Sequence, residues 1–140
     1  MSALHRAKNL KLKYIISSID SKRDDLFLQL FQINDSKKKS LPILAKSNID
    51  AIKIEKLRSY FVINKLIAKD VLFVGHQFSI AKNMIDNLHI SKDLIQHPDS
   101  LGVGKLASCM ISNEICIKKT TFAFDKFKPI YVRSAQINNK

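Results

Sequence analysis

Apolar residues fall in short blocks separated by polar turns through the first half of the chain, and the spacing within each block predicts its element. Tyr14-Ile15-Ile16-Ser17-Ser18-Ile19 is β-branched and ends at Asp20, which reads as a strand running into a turn at 21–25. Residues 26–33 (Leu, Phe, Leu, Gln, Leu, Phe, Gln, Ile) are apolar at nearly every position. This suits a strand inside a sheet that is covered on both faces. Asn34-Asp35-Ser36 and three lysines form a second turn, and Leu41-Pro42-Ile43-Leu44-Ala45 a third, weaker strand that Pro42 pushes toward an edge. The opening is therefore an antiparallel three-strand meander. Residues 3–13 are basic with single apolar positions, either the end of a helix or a basic leader.

The second half changes period. Asn48 or Asp50 is placed to cap a helix containing Ile52, Leu57, Tyr60 and Phe61. Val71-Leu72-Phe73-Val74 is a short, wholly apolar strand ending at Gly75. Ser79 is expected to cap a helix with Ile80, Ala81, Met84, Ile85 and Leu88 on one face. Pro98 opens another, with Leu101, Leu106, Ala107, Cys109 and Met110. Pro129-Ile130-Tyr131-Val132-Arg133 is extended, and 136–140 are a polar tail. Meander, helix, strand and helices predict an α/β domain with a mixed sheet, occupying 1–135.

Composition adds limits rather than a function. The 140 residues suffice for one domain with a core of its own, and 46% hydrophobic with 26% charged is an ordinary globular balance. No apolar run reaches the roughly 18 residues of a membrane span, and residues 1–13 carry no signal-peptide core. No membrane partner is expected. Two cysteines, Cys109 and Cys116, make no disulfide framework, so a reducing, cytoplasmic setting is the expectation.

The net charge of +12 suggests nucleic acid. Of the 24 bases, however, 20 are Lys and four Arg, alongside 19 Ile and nine Asn. Lys, Ile and Asn have A/T-rich codons, so genome composition alone pushes the chain basic, while arginine, the better phosphate and base reader, is scarce. The charge is also spread: residues 1–70 have a net +8 and 71–140 a net +4. Lys37-Lys38-Lys39 is the one dense run, and it carries the rival reading of a free-standing basic RNA-binding module.

Candidate chemistry is thin. His5, His76, His89 and His97 stand apart, without the spacing of a metal-ligand pair. Cys109 and Cys116 lack two further ligands for zinc and read as small buried hydrophobes. Three glycines in the whole chain leave no glycine-rich phosphate cradle. Asp20, Asp24 and Asp25 could hold a cation or move a proton; with Lys22 and Arg23 between them, turn chemistry is the simpler reading. No catalytic, cofactor or metal site is expected, and an enzyme ranks last among the readings.

Four segments nevertheless carry a resemblance. Ile19-Asp20-Ser21-Lys22-Arg23-Asp24-Asp25-Leu26-Phe27 resembles the strand–turn–strand signature I-D-A-R-R-x-E-[VL]-Y of the TsaB-type proteins. Leu72-Phe73-Val74-Gly75-His76-Gln77 resembles that family's G-[DNS]-G strand end, with Gln77 where a second glycine is usual. His97-Pro98-Asp99-Ser100 with Leu106-Ala107 is similar to its P-x-A…LA helix, and Pro129-Ile130-Tyr131-Val132-Arg133 to its P-x-Y-[LV]-R end. The segments follow the family's order over about residues 2–135. Ser21, Lys22 and Asp25 depart mildly from its Ala, Arg and Glu.

The resemblance implies a single actin-like lobe, the second of the family's two. Nothing in residues 1–13 matches the A-x-D-T-S strand that opens the first lobe; Ser2-Ala3-Leu4 resembles the tail of the helix joining the lobes. It further implies a non-catalytic scaffold in threonylcarbamoyladenosine modification of tRNA, as a separate or truncated lobe. Its partners would be the catalytic threonylcarbamoyltransferase subunit, a small ATPase and a separately encoded first lobe, with tRNA contacted indirectly. The residues carried over are Asp20, Lys22, Arg23, Asp25, Gly75, Pro98, Pro129, Tyr131 and Arg133, in structural or interaction roles. A lobe without its neighbour is expected to expose an apolar patch. A decayed fragment without function is the remaining alternative.

Overall fold

The computed structural model describes residues 2–23, 25–34 and 43–91, together with Ser108. Helix α1 (Ser2–Asn9) leads into strand β1 (Tyr14–Asp20). A hairpin turn connects it to β2 (Asp25–Ile33), followed by β3 (Ile43–Ala45) and β4 (Asp50–Lys53). A single 3-10 turn, Ile54–Lys56, precedes α2 (Leu57–Ile63), and another, Ala68–Asp70, precedes β5 (Val71–Gly75). Helix α3 (Phe78–Met84) and the two-residue β6 (His89–Ile90) follow. The expected elements from Pro98 onward, the extended segment at 129–133, Lys37 to Lys39, Asp24, His97 and both cysteines lie outside the described residues.

The strands form one mixed sheet in the order β3-β2-β1-β5-β6, with β4 also on β2. β2 runs antiparallel to β1, with Ser17 opposite Gln29. β5 runs parallel to β1, with Ile16 opposite Phe73, and β6 parallel to β5. Strand alternation divides the core. Ile16, Leu26, Leu28, Leu30, Val71 and Phe73 face α2 and α3 and pack with Leu57, Tyr60, Phe61, Ala81, Ile85 and Leu88. Ile15, Ile33 and Leu72 point the other way and pack with Leu4, Ala7 and Leu12 of α1 and its exit. The near-continuous apolarity of 26–33 thus has its expected cause.

Two expectations need correction. The helix expected from Asn48 or Asp50 starts only at Leu57; residues 50–53 are strand β4, antiparallel to the first half of β2. β3 pairs the second half of the same edge, with Ala45 opposite Phe31. Ser47 bridges the gap between them. Its Oγ accepts the Leu30 N–H at 3.2 Å and donates to the Asn48 carbonyl at 2.7 Å, while the Lys46 N–H reaches the Leu30 carbonyl at 2.8 Å. Open β2 backbone groups recruit 50–53 into the sheet, and β-branched Ile52 suits that role better than a helix. Tyr60 lies 3.4 Å from Ser47 Oγ, and burial pushes its phenol above the usual range.

The second correction concerns α3. Ser79 is not its cap; the helix starts at Phe78 after Gln77, which is left-handed at φ 59° and makes no side-chain cap bond. The helix stops at Met84, so Leu88 reaches the core from beyond it, and Ile80 is exposed. β6, unforeseen in the sequence, gains its form from pairing His89 with Leu72 and Ile90 with Phe73.

Candidate functional site

The parallel strands β1 and β5 end side by side, at Asp20 and Gly75, and the site is built on those two ends. Their closeness depends on Gly75. It has φ 103°, and a Cβ there would stand 2.0 Å from the Ser18 carbonyl oxygen. Buried Ser18 bonds across the same junction: its Oγ lies 3.0 Å from the Val74 carbonyl and 2.7 Å from that of His76. The His76 N–H donates to the Ser18 carbonyl, and the Asp20 N–H donates to His76 Nδ1 at 3.3 Å. Beyond this, Gln77 takes the left-handed conformation that a glycine would adopt more cheaply, and α3 begins.

The hairpin turn is held by its own polar side chains. Asp20 Oδ1 accepts the Lys22 N–H at 2.7 Å, an Asx turn that sets Lys22 at φ 60°. Ser21 Oγ accepts the Arg23 N–H at 3.1 Å, and the Ser21 N–H closes onto the Asp25 carbonyl at 3.0 Å. Lys22 Nζ stands 3.7 Å from Asp20 Oδ2 on the exposed side, an ion pair worth little in water. Asp20 thus has a structural task in the turn, as its residue type suggests.

Between this turn, the β4 exit and the start of α3 lies a cleft of about 460 Å³, lined by Asp20, Lys22, Asp25, Leu26, Lys53, Ile54, Glu55, Gln77 and Ile80. Among the described lining residues three carboxylates stand with two ammonium groups, and the others are apolar or amide. Among the described residues that line it there is no hydroxyl, thiol or imidazole, and so no nucleophile with a base beside it. Among the described residues, no group of three or more His, Cys, Asp or Glu could hold a metal ion. The arrangement suits binding of a small mixed-charge surface such as a polypeptide loop.

Of the residues singled out in the sequence, Asp20, Lys22 and Asp25 meet in this cleft, with Asp25 buried; Gly75 does not line it but holds the neighbouring end of β5 against Ser18. Arg23 is exposed on the turn and does not line it. Pro98, Pro129, Tyr131 and Arg133 lie outside the described residues. Lys53 and Glu55 were missed. The alternation Ile52-Lys53-Ile54-Glu55 carried the signal, since period two belongs to a strand and its exit rather than a helix. Compared with known proteins, the chain matches no protein-family model and no curated protein.

Proposed function

We propose that this chain is an actin-like lobe of TsaB type, serving as a non-catalytic scaffold in threonylcarbamoyladenosine modification of tRNA. The observation that carries the reading is the placement of its most specific motif. Residues 19–27 form the β1–β2 hairpin of an antiparallel meander, which continues into strands and covering helices as an actin-like lobe does. In ATP-using relatives that hairpin turn bears glycine and grips phosphate. Here the turn holds Asp20, Ser21, Lys22, Arg23 and Asp25 and no glycine, so its Cβ atoms crowd the backbone against close approach of a phosphate. The turn is spent on its own hydrogen bonds, which favours a scaffold over a nucleotide site.

The partners in this reading are the catalytic threonylcarbamoyltransferase subunit, the small ATPase and a first lobe carrying the A-x-D-T-S strand. Co-expression with each, followed by affinity purification, tests it. The chain is expected to co-purify with at least one of the three. If it binds none of them, the functional reading is overturned while the α/β fold stands.

A further inference from the structure

The end of the sheet opposite the cleft has a repeated construction. Helix α1 passes into β1 through 10–13, and α2 passes into β5 through 64–70. Because β1 and β5 are parallel neighbours, these two connections lie side by side, joined by the Lys13 N–H to the Asp70 carbonyl at 2.9 Å. Both begin with the same helix-ending turn. Leu12 N–H bonds the Ala7 carbonyl and Lys11 N–H that of Lys8; Leu66 N–H bonds the Phe61 carbonyl and Lys65 N–H that of Val62. This is the Schellman arrangement, whose left-handed position usually belongs to glycine. Lysine fills it in both, Lys11 at φ 54° and Lys65 at φ 52°.

The surface so formed is basic and apolar together. The two connections hold Lys11, Lys13, Lys65 and Lys69 against the single carboxylate of Asp70, which is already paired with Lys13 at 2.8 Å. The last turn of α2 adds Val62 and Ile63, each 77% exposed, and the connections themselves add Ile67 at 57% and Leu10 at 46%. Lysine at a helix C-terminus complements the helix dipole, which accounts for Lys11 and Lys65 but not for β-branched side chains left in water.

We propose that this sheet end is a docking face for a protein partner that presents apolar side chains within an acidic rim. Charge complementarity selects the rim, and Val62, Ile63 and Ile67 select the centre. A nucleic acid would satisfy the lysines alone, since aliphatic side chains have no counterpart in a phosphate backbone and stacking calls for aromatic or arginine planes. The proposal rests on the reading of this chain as an interaction scaffold and names the partner's chemistry.

The test uses the whole isotope-labelled chain and two probes. One is the purified catalytic threonylcarbamoyltransferase subunit. The other is a synthetic helical peptide with leucines in one stripe and glutamates elsewhere, which carries the proposed chemistry independently of the tRNA pathway. Both are expected to shift the resonances of 10–13 and 62–69. The double variants Val62→Ser/Ile63→Ser and Lys65→Gln/Lys69→Gln are each expected to weaken binding about tenfold. Lys56→Gln/Lys82→Gln, exposed on the 3-10 turn before α2 and on α3 and outside both the cleft and this face, should leave it unchanged. If the peptide occupies this face while the chain binds neither the subunit nor the small ATPase nor the first lobe, the tRNA-modification reading falls and the docking face stands. A peptide that does not bind, or that shifts another surface, overturns the face. So do contacts from the Val62 and Ile63 methyls to distant residues of the free chain, because the surface is then covered from within. Transfer RNA that displaces the peptide from these residues would make the face a phosphate site and end the protein proposal.

Discussion

With three glycines in 140 residues, the chain places other residues where the backbone turns left-handed. Lys11, Lys22, Lys65, Gln77 and Asn87 all have φ between 52° and 60°. Each tolerates a conformation in which Cβ crowds the backbone, at a cost of about 1–2 kcal/mol. Glycine removes that crowding but adds freedom to the unfolded chain, so Lys11→Gly and Lys65→Gly are each expected to stabilise the fold by about 0.5–1 kcal/mol. Urea denaturation measures it, and unchanged or lower midpoints for both would show that the lysine side chains contribute more at the helix ends than their conformation costs. Gly75 is the reverse case. Its φ of 103° and the 2.0 Å approach of the Ser18 carbonyl leave no room for Cβ, and the obstacle is backbone rather than a movable side chain. Gly75→Ala is expected to destabilise by at least about 2 kcal/mol. A loss under 1 kcal/mol would mean that β1 and β5 can separate at their ends without disturbing the sheet.

At the scale of elements, β2 organises the molecule, being bonded to β1 along its whole length and to β3 and β4 in succession on its other edge. The break between β3 and β4 falls opposite Leu30, whose N–H is taken by Ser47 Oγ. Ser47→Ala leaves that donor without its partner in a buried strand and is expected to cost about 1–3 kcal/mol. Hydrogen exchange locates the effect: the Leu30 amide should lose protection while Ile16 and Phe73, inside the β1–β5 ladder, keep theirs after allowance for global stability. Equal loss at all three would assign the effect to the whole fold. This junction also marks how far the sequence was legible. β1, β2 and β5 are β-branched or apolar runs closed by turn residues, and their local pattern suffices to place them. β4 and β6 are strands because a neighbour offers open hydrogen-bonding groups, a tertiary cause that no window of residues contains. The cleft was legible in half for the same reason. Asp20, Lys22 and Asp25 share one turn, whereas Lys53 and Glu55 join them only through the pairing of β4 with β2.

For the whole molecule, the distribution of charge matters more than its sum. At the cleft end, Asp20, Asp25 and Glu55 offset Lys22, Arg23 and Lys53. At the opposite end, the two connections hold Lys11, Lys13, Lys65 and Lys69 with one carboxylate of their own, Asp70. Such a cluster repels itself, and the repulsion extends about 30 Å at 0.01 M salt but about 8 Å at 0.15 M. Raising sodium chloride from 10 mM to 300 mM is therefore expected to raise the melting temperature. Lys69→Gln separates this effect from the helix ends, since Lys69 lies beyond the α2 terminus, in the turn before β5. The variant is expected to melt higher than the parent at 10 mM salt and at the same temperature at 300 mM. The competing possibility is that Lys69 joins Lys13 in holding Asp70, whose carboxylate already lies 2.8 Å from Lys13 Nζ and raises that lysine's pKa above its usual value. In that case Lys69→Gln lowers the melting temperature at low salt, and attraction to Asp70 outweighs repulsion among the lysines. The sign of the shift decides between a surface whose charge awaits an acidic partner and one whose charge is balanced within the chain.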